Sequence, residues 1–128
     1  MALGPSNWVI NQMWDAAFGI QPFYVNQPYI QWHSGDPGSG GNSNVVAIDR
    51  QAAVFERISD GVWRTAGAPM EVAIDVPDVT ITHISIHDAL DDGNWLGNLV
   101  GNQSISVVEG DLLTLSDQIQ WTVTDWVA

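Results

Sequence analysis

Val79-Thr80-Ile81-Thr82-His83-Ile84-Ser85-Ile86-His87 opens the stretch that decides the fold of this chain. The turn cluster Asp88 to Asn94 follows it. Then come Trp95 to Leu99, Ser104 to Val108, the Glu109-Gly110-Asp111 turn, Leu112 to Ser116, and Ile119 to Trp126. Short β-branched and apolar runs, cut at regular intervals by turn residues, predict an all-β fold. The form expected is an antiparallel β-sandwich, immunoglobulin-like or jelly-roll-like. Within the first run the apolar phase slips, because Val79 and Ile81 share one face and Ile84 and Ile86 the other. Either the strand is buried on both sides or a bulge sits near Thr82-His83, and the bulge is the expectation.

Upstream, the pattern continues. Glu71 to Val76 alternates Val72, Ile74 and Val76 with Glu71, Ala73 and Asp75. Asp60-Gly61 is a hairpin signal between Ala52 to Ile58 and Val62 to Thr65. Val45 to Ile48 is a further strand candidate, and Phe23 to His33 reads as the first strand, with Pro22 and Pro28 demoting parts of it to edge or bulge. Ser34 to Asn44 holds four glycines, a proline and small polar residues, the composition of an exposed loop. Residues 6 to 18 form the one helix, a short N-terminal one. Ser6 is its N-cap after Pro5, and Gly19 supplies a left-handed stop. Ile10, Met13, Trp14, Ala17 and Phe18 line one face of it. Packing of that stripe on the chain's own core is the expectation, and docking on a neighbouring subunit the alternative. With neither repeat nor linker, residues 1–128 read as a single domain.

Charge narrows the function. Fifteen acids face three arginines and no lysine, for a net charge of −12. Nucleic-acid affinity comes largely from Lys and Arg neutralising phosphates, so no nucleic-acid partner is expected, and anionic membrane surfaces are disfavoured likewise. The absence of cysteine removes disulfides, thiolate metal sites and cysteine nucleophiles. No secretory signal or membrane-spanning run is visible, so a soluble protein delivered without secretion is expected.

Candidate chemistry is thin. His83 and His87 are four apart, but on a strand that places them about 13 Å apart along the chain, and His33 can join them only through tertiary contact. Zinc wants three or four converging ligands, so no metal site is assigned. Asp88, Asp91, Asp92 and Asn94 around Gly93 lack the register of a calcium loop and read as a plain turn. No serine sits in a nucleophile elbow, and most acids fall in turns or on exposed faces. The expectation is a protein without catalytic residues and without a cofactor.

Seven tryptophans are the compositional oddity. Trp121 alternates with Ile119 and Val123 and reads as core. Trp8, Trp63, Trp95 and Trp126 lie near element ends, where half-buried indoles commonly pack at interfaces. Core or subunit interface therefore outweighs a sugar-stacking platform. Arg50, Arg57 and Arg64 are expected to pair with acids.

Several short motifs, in order, carry a resemblance. They are Ser34-Gly35-Asp36-Pro37-Gly38; Arg50-Gln51-Ala52 with Val54-Phe55; Val79-Thr80 through Thr82-His83-Ile84-Ser85-Ile86-His87-Asp88-Ala89; Gly93-Asn94-Trp95-Leu96 with Gly97 and Leu99; and Val108 with Gly110-Asp111. Together with the Asn7-Trp8 to Phe18 opening, they resemble a family of small tailed-phage virion proteins that includes head decoration, minor capsid and tail-fibre-like members. The resemblance implies a β-sandwich structural protein of the bacteriophage particle. It departs before Arg50, where Val45 to Asp49 replaces a glycine-rich segment. The function expected from it is a capsid decoration protein on the capsid surface of the virion, bound to the major capsid protein or to copies of itself as a homo-oligomer. A tail-associated or tail-fibre-like receptor- or glycan-binding module is the alternative. The candidate contact residues are Trp8, Trp14, Phe18, Asp36, Pro37, Trp95 and Trp126.

Overall fold

The computed structural model describes residues 4–66, 70–115 and 119–123. Its elements are a helix α1 (Asn7–Ala17) and nine strands: β1 (Tyr29–His33), β2 (Gln51–Ala52), β3 (Phe55–Ser59), β4 (Val62–Thr65), β5 (Met70–Ala73), β6 (Val79–His87), β7 (Trp95–Val107), β8 (Leu112–Leu115) and β9 (Trp121–Thr122). Seven strands form one antiparallel sheet in the order β2-β1-β6-β7-β9-β4-β3, and β5 and β8 form a second. The fold is all-β and sandwich-like, as the spacing of apolar runs predicts.

β6 is the spine, pairing with β1 on one side and β7 on the other. The slip in its apolar phase is the expected bulge: Ile81 pairs with Ile105, but His83 pairs with Val100. Most of the extra residues lie on β7, in Gly101 to Ser104. Two sequence runs, Trp95 to Leu99 and Ser104 to Val108, are therefore one strand interrupted by a bulge. Across the slip, Ile81 and Ile84 are both fully buried. The core gathers Ile30, Trp32, Ile81, Ile84, Leu99 and Trp121 from the large sheet with Val72 and Ile74 from β5 and the segment after it. Val72 and Ile74 point inward while Glu71, Ala73 and Asp75 face solvent, the alternation read from sequence. Trp32 and Trp121 are fully buried, and their indole N–H groups find no acceptor among the described residues. They are packing residues.

Three expectations are corrected. The first strand begins at Tyr29 rather than Phe23, because Pro28 has no N–H to give a ladder. Val45 to Ile48 is not a strand: only Val45 bridges His33, and Val46 donates its N–H to the Trp32 carbonyl. The Ser34 to Asn44 loop is not simply exposed, since Pro37 and Gly41 within it are buried. One face of β1 and β6 carries Gln31, His33, His83, Ser85 and His87, and the loop and the segment after it lie over that polar face. Gln31 Nε2 donates to the carbonyls of Val46 and Ile48, both at 3.2 Å. Asn98 Nδ2 donates to the Gly38 carbonyl at 2.8 Å. A polar loop can be buried when its backbone groups are met in this way.

Candidate assembly interface

The helix starts where the sequence places it. Ser6 caps it, its Oγ accepting from the Val9 N–H at 3.1 Å. Just before the cap, the chain is strapped to β7: Ser6 N–H donates to the Leu96 carbonyl at 2.6 Å and Asn98 N–H to the Gly4 carbonyl at 3.0 Å. The strap crosses directly over Gly97, where any Cβ would overlap the Gly4 carbonyl oxygen. Within the helix only Val9 is buried.

The remainder of the helix overturns the expectation that its stripe packs on the chain's own core. Met13 is 45% exposed, Trp14 57% and Phe18 69%, and Ile20 just beyond is 65% exposed. Trp14 and Phe18 stack on each other with ring centroids 5.3 Å apart, one helical turn apart on the surface. The strap and Val9 fix the first turn, and among the described residues no other helix residue is buried. Trp8 is half-buried and meets Phe23 edge-to-face at 5.7 Å. Beside the stripe an apolar groove of about 360 Å³ opens, with Met13 on its rim and Phe55, Trp63, Ile86, Leu96 and Leu99 among its walls.

The other candidate residues sit at the loop end. Asp36 turns its carboxylate inward, accepting from the Gly38 N–H at 2.9 Å, and Pro37 is fully buried. Pro37 thus packs inside the loop rather than facing outward. Trp95 is half-buried, and its Nε1–H donates to Asn98 Oδ1 at 2.9 Å. Trp126 lies outside the described residues.

Under the loop lies a polar chain that sequence reading missed. His33 Nε2 is 2.7 Å from Ser85 Oγ, and Ser85 Oγ is 2.8 Å from His87 Nε2. His33 Nδ1 sits 2.8 Å from the Ser43 carbonyl, which can only accept. Nδ1 therefore carries the proton, Nε2 accepts from the Ser85 hydroxyl, and His87 Nε2–H donates to Ser85. All three groups are buried, and Gly41, at φ +68°, closes the chain off: a Cβ there would lie 2.9 Å from the Ser85 Cβ. Burial pushes the His87 pKa down to about 4, helped by the nearby Arg50 charge. Burial likewise lowers His33 and His83. The Ser85 hydroxyl thus joins His33 on β1 to His87 on β6, and His33 ties the loop to that pair through the Ser43 carbonyl. The alternation His83-Ile84-Ser85-Ile86-His87 shows only that Ser85 and His87 share a face of β6, while His33 joins them from β1.

The Asp88 to Asn94 turn is likewise internally satisfied. Asp88 accepts from the Asn94 backbone at 2.7 Å and from its side chain at 2.9 Å. Burial raises Asp88, but those hydrogen bonds outweigh it and hold the carboxyl below its ordinary value. Arg50 ties the turn down by donating to the carbonyls of Ala89 and Asp92, both at 2.9 Å. It bonds carbonyls where an acid was expected, whereas Arg64 does pair with Glu56.

Residues 4–122 match the family described as podophage GP4 fiber I protein gp80. The chain belongs to that family. The match runs from the strap before α1 to β9, so it takes in the exposed stripe, the groove and the histidine chain together. No curated protein matches the sequence. Membership in this fibre family makes the chain a bacteriophage structural protein with a place in the virion. No helix among the described residues is long and apolar enough to cross a membrane.

Proposed function

We propose that this gp80-family protein is a non-catalytic building unit of a podophage fibre, acting by packing against other virion proteins. The family match over residues 4–122 carries the reading, because that family is described by a fibre protein. The surface supports it. An amphipathic helix leaves two stacked aromatics in solvent beside an apolar groove, which is the chemistry of an assembly contact. The histidines and Ser85 have their hydrogen-bonding capacity turned inward, which suits a structural role better than a reactive one. A net charge of −12 turns the rest of the surface away from polyanions, so the partners proposed are proteins and not nucleic acid.

The fibre reading takes precedence over capsid decoration because the family description names a fibre. Antibody-gold labelling of intact particles, with copy number by quantitative mass spectrometry, tests it. Label on fibres at a few to dozens of copies is the expected result. Label spread over the shell at hundreds of copies would replace the fibre with the decoration role, and unlabelled particles would remove the virion role altogether.

A further inference from the structure

We infer that the stripe on α1 and the adjoining groove form a self-complementary contact, in which a second copy of this chain docks reciprocally. The inference deepens the fibre-unit reading by naming the partner, and rests on it only in treating the chain as a packing protein. Three observations select a second copy. The first is shape. The stacked Trp14–Phe18 pair is exposed on the helix, and Met13, the residue before Trp14, lines the apolar groove. A knob next to a hole of the same chemistry is what a two-fold, isologous contact needs, since each copy then supplies the knob for the other's hole.

The second is charge. Two copies at −12 repel over most of their surfaces, yet Asp15 is the only Asp, Glu, Lys or Arg in residues 1–35. The groove beside it is lined by no Asp, Glu, Lys or Arg among the described residues. The neutral helix face is therefore where a like-charged copy can approach at least cost. The third is area. The exposed parts of Met13, Trp14, Phe18 and Ile20 come to roughly 500 Å² per copy, so a pair buries about 1,000 Å² before the groove walls are counted. That reaches the lower bound for a specific interface, of the weak kind that repetition in a fibre reinforces.

The test is sedimentation of the full chain from about 1 to 500 µM. The expected result is a concentration-dependent monomer–dimer equilibrium. Trp14→Gln and Phe18→Gln, each shown by circular dichroism to keep the fold, should weaken it about 30-fold or more. Leu112→Gln removes a comparably exposed residue, 57% exposed on β8, and should leave it unchanged. A monomer throughout, or a dimer insensitive to both helix substitutions, would overturn the inference. So would a trimer, which requires a head-to-tail contact instead. A chain that dimerises only once residues 124–128 are removed would assign the groove to its own C-terminal segment, again overturning the second copy as occupant. Sedimentation involves no particle, so failure here leaves the labelling result standing, and the reverse holds too.

Discussion

The loop Ser34 to Asn44 is polar and glycine-rich, yet it lies over the sheet. The helix α1 carries the chain's most conspicuous apolar stripe, yet holds it out in solvent. Composition alone reverses the two. The loop is drawn in because the face beneath it supplies donors where the loop and its continuation have carbonyls: Gln31 for Val46 and Ile48, His33 for Ser43, and Asn98 for Gly38. The helix stays out because, past the strap at Ser6, Val9 in the first turn is its one buried residue. Burial follows the partners available at each position, and a stripe without partners inside the chain points to partners outside it.

The comparison breaks most sharply at Gly41. The residue sits at φ +68° with the Ser85 side chain and the Trp95 ring against it. Gly41→Val adds both left-handed backbone strain and overpacking, and should cost roughly 4 kcal/mol in urea unfolding. A neutral substitution would mean that the loop does not pack on the histidine chain at all.

A smaller effect should come from pH. The folded His87 pKa is about 4, against an ordinary 6.5. Between those values the unfolded chain takes up a proton that the folded state refuses. Stability is therefore complete above pH 6.5 and falls as pH drops toward 4, by about 3 kcal/mol from His87. His33 and His83 shift in the same direction and steepen the slope. Asp88, held low by Asn94, loses its contribution only at lower pH, after the histidine window. Urea midpoints measured every half unit from pH 7.5 to 4 check this. A flat profile would show that the histidines are not buried by the loop.

Much of the sheet was legible because strand periodicity is local. β6 matches its run residue for residue, β4 does too, and the bulge at Thr82-His83 follows from a slip in alternation. The Asp60-Gly61 hairpin needed only two residues, Gly61 adopting φ +74°. The His33–Ser85–His87 chain was not legible, because it depends on which strand lies beside β6 and on a loop folding back over both. The exposure of α1 was not legible either. A 3.6-residue period says that a helix has an apolar face, but not whether the surface receiving it belongs to the same chain.

Within the helix itself the contrast can be sharpened by a pair of substitutions. Val9 is the one helix residue buried against the sheet, at 8% exposure. Val9→Ala removes two methyl groups from a packed site and should cost about 2 kcal/mol, read in dilute solution where association makes no contribution. An effect much below that would mean that the strap alone holds the helix, with no packing under its first turn.

Trp14→Gln should do the least to the fold while removing the larger side chain. Trp14 is 57% exposed, and its one ring partner among the described residues, Phe18, is a surface neighbour at the end of the same helix. An i, i+4 apolar pair of this kind contributes about 0.5 kcal/mol or less, so the dilute-solution unfolding midpoint should barely move. Val9 and Trp14 sit five positions apart on one helix, and the small residue should matter several times more than the large one. That ordering holds only if the stripe is surplus to the monomer. A loss above about 1 kcal/mol from Trp14→Gln would show that the stripe supports its own chain after all, and would take away the physical reason for seeking its partner elsewhere.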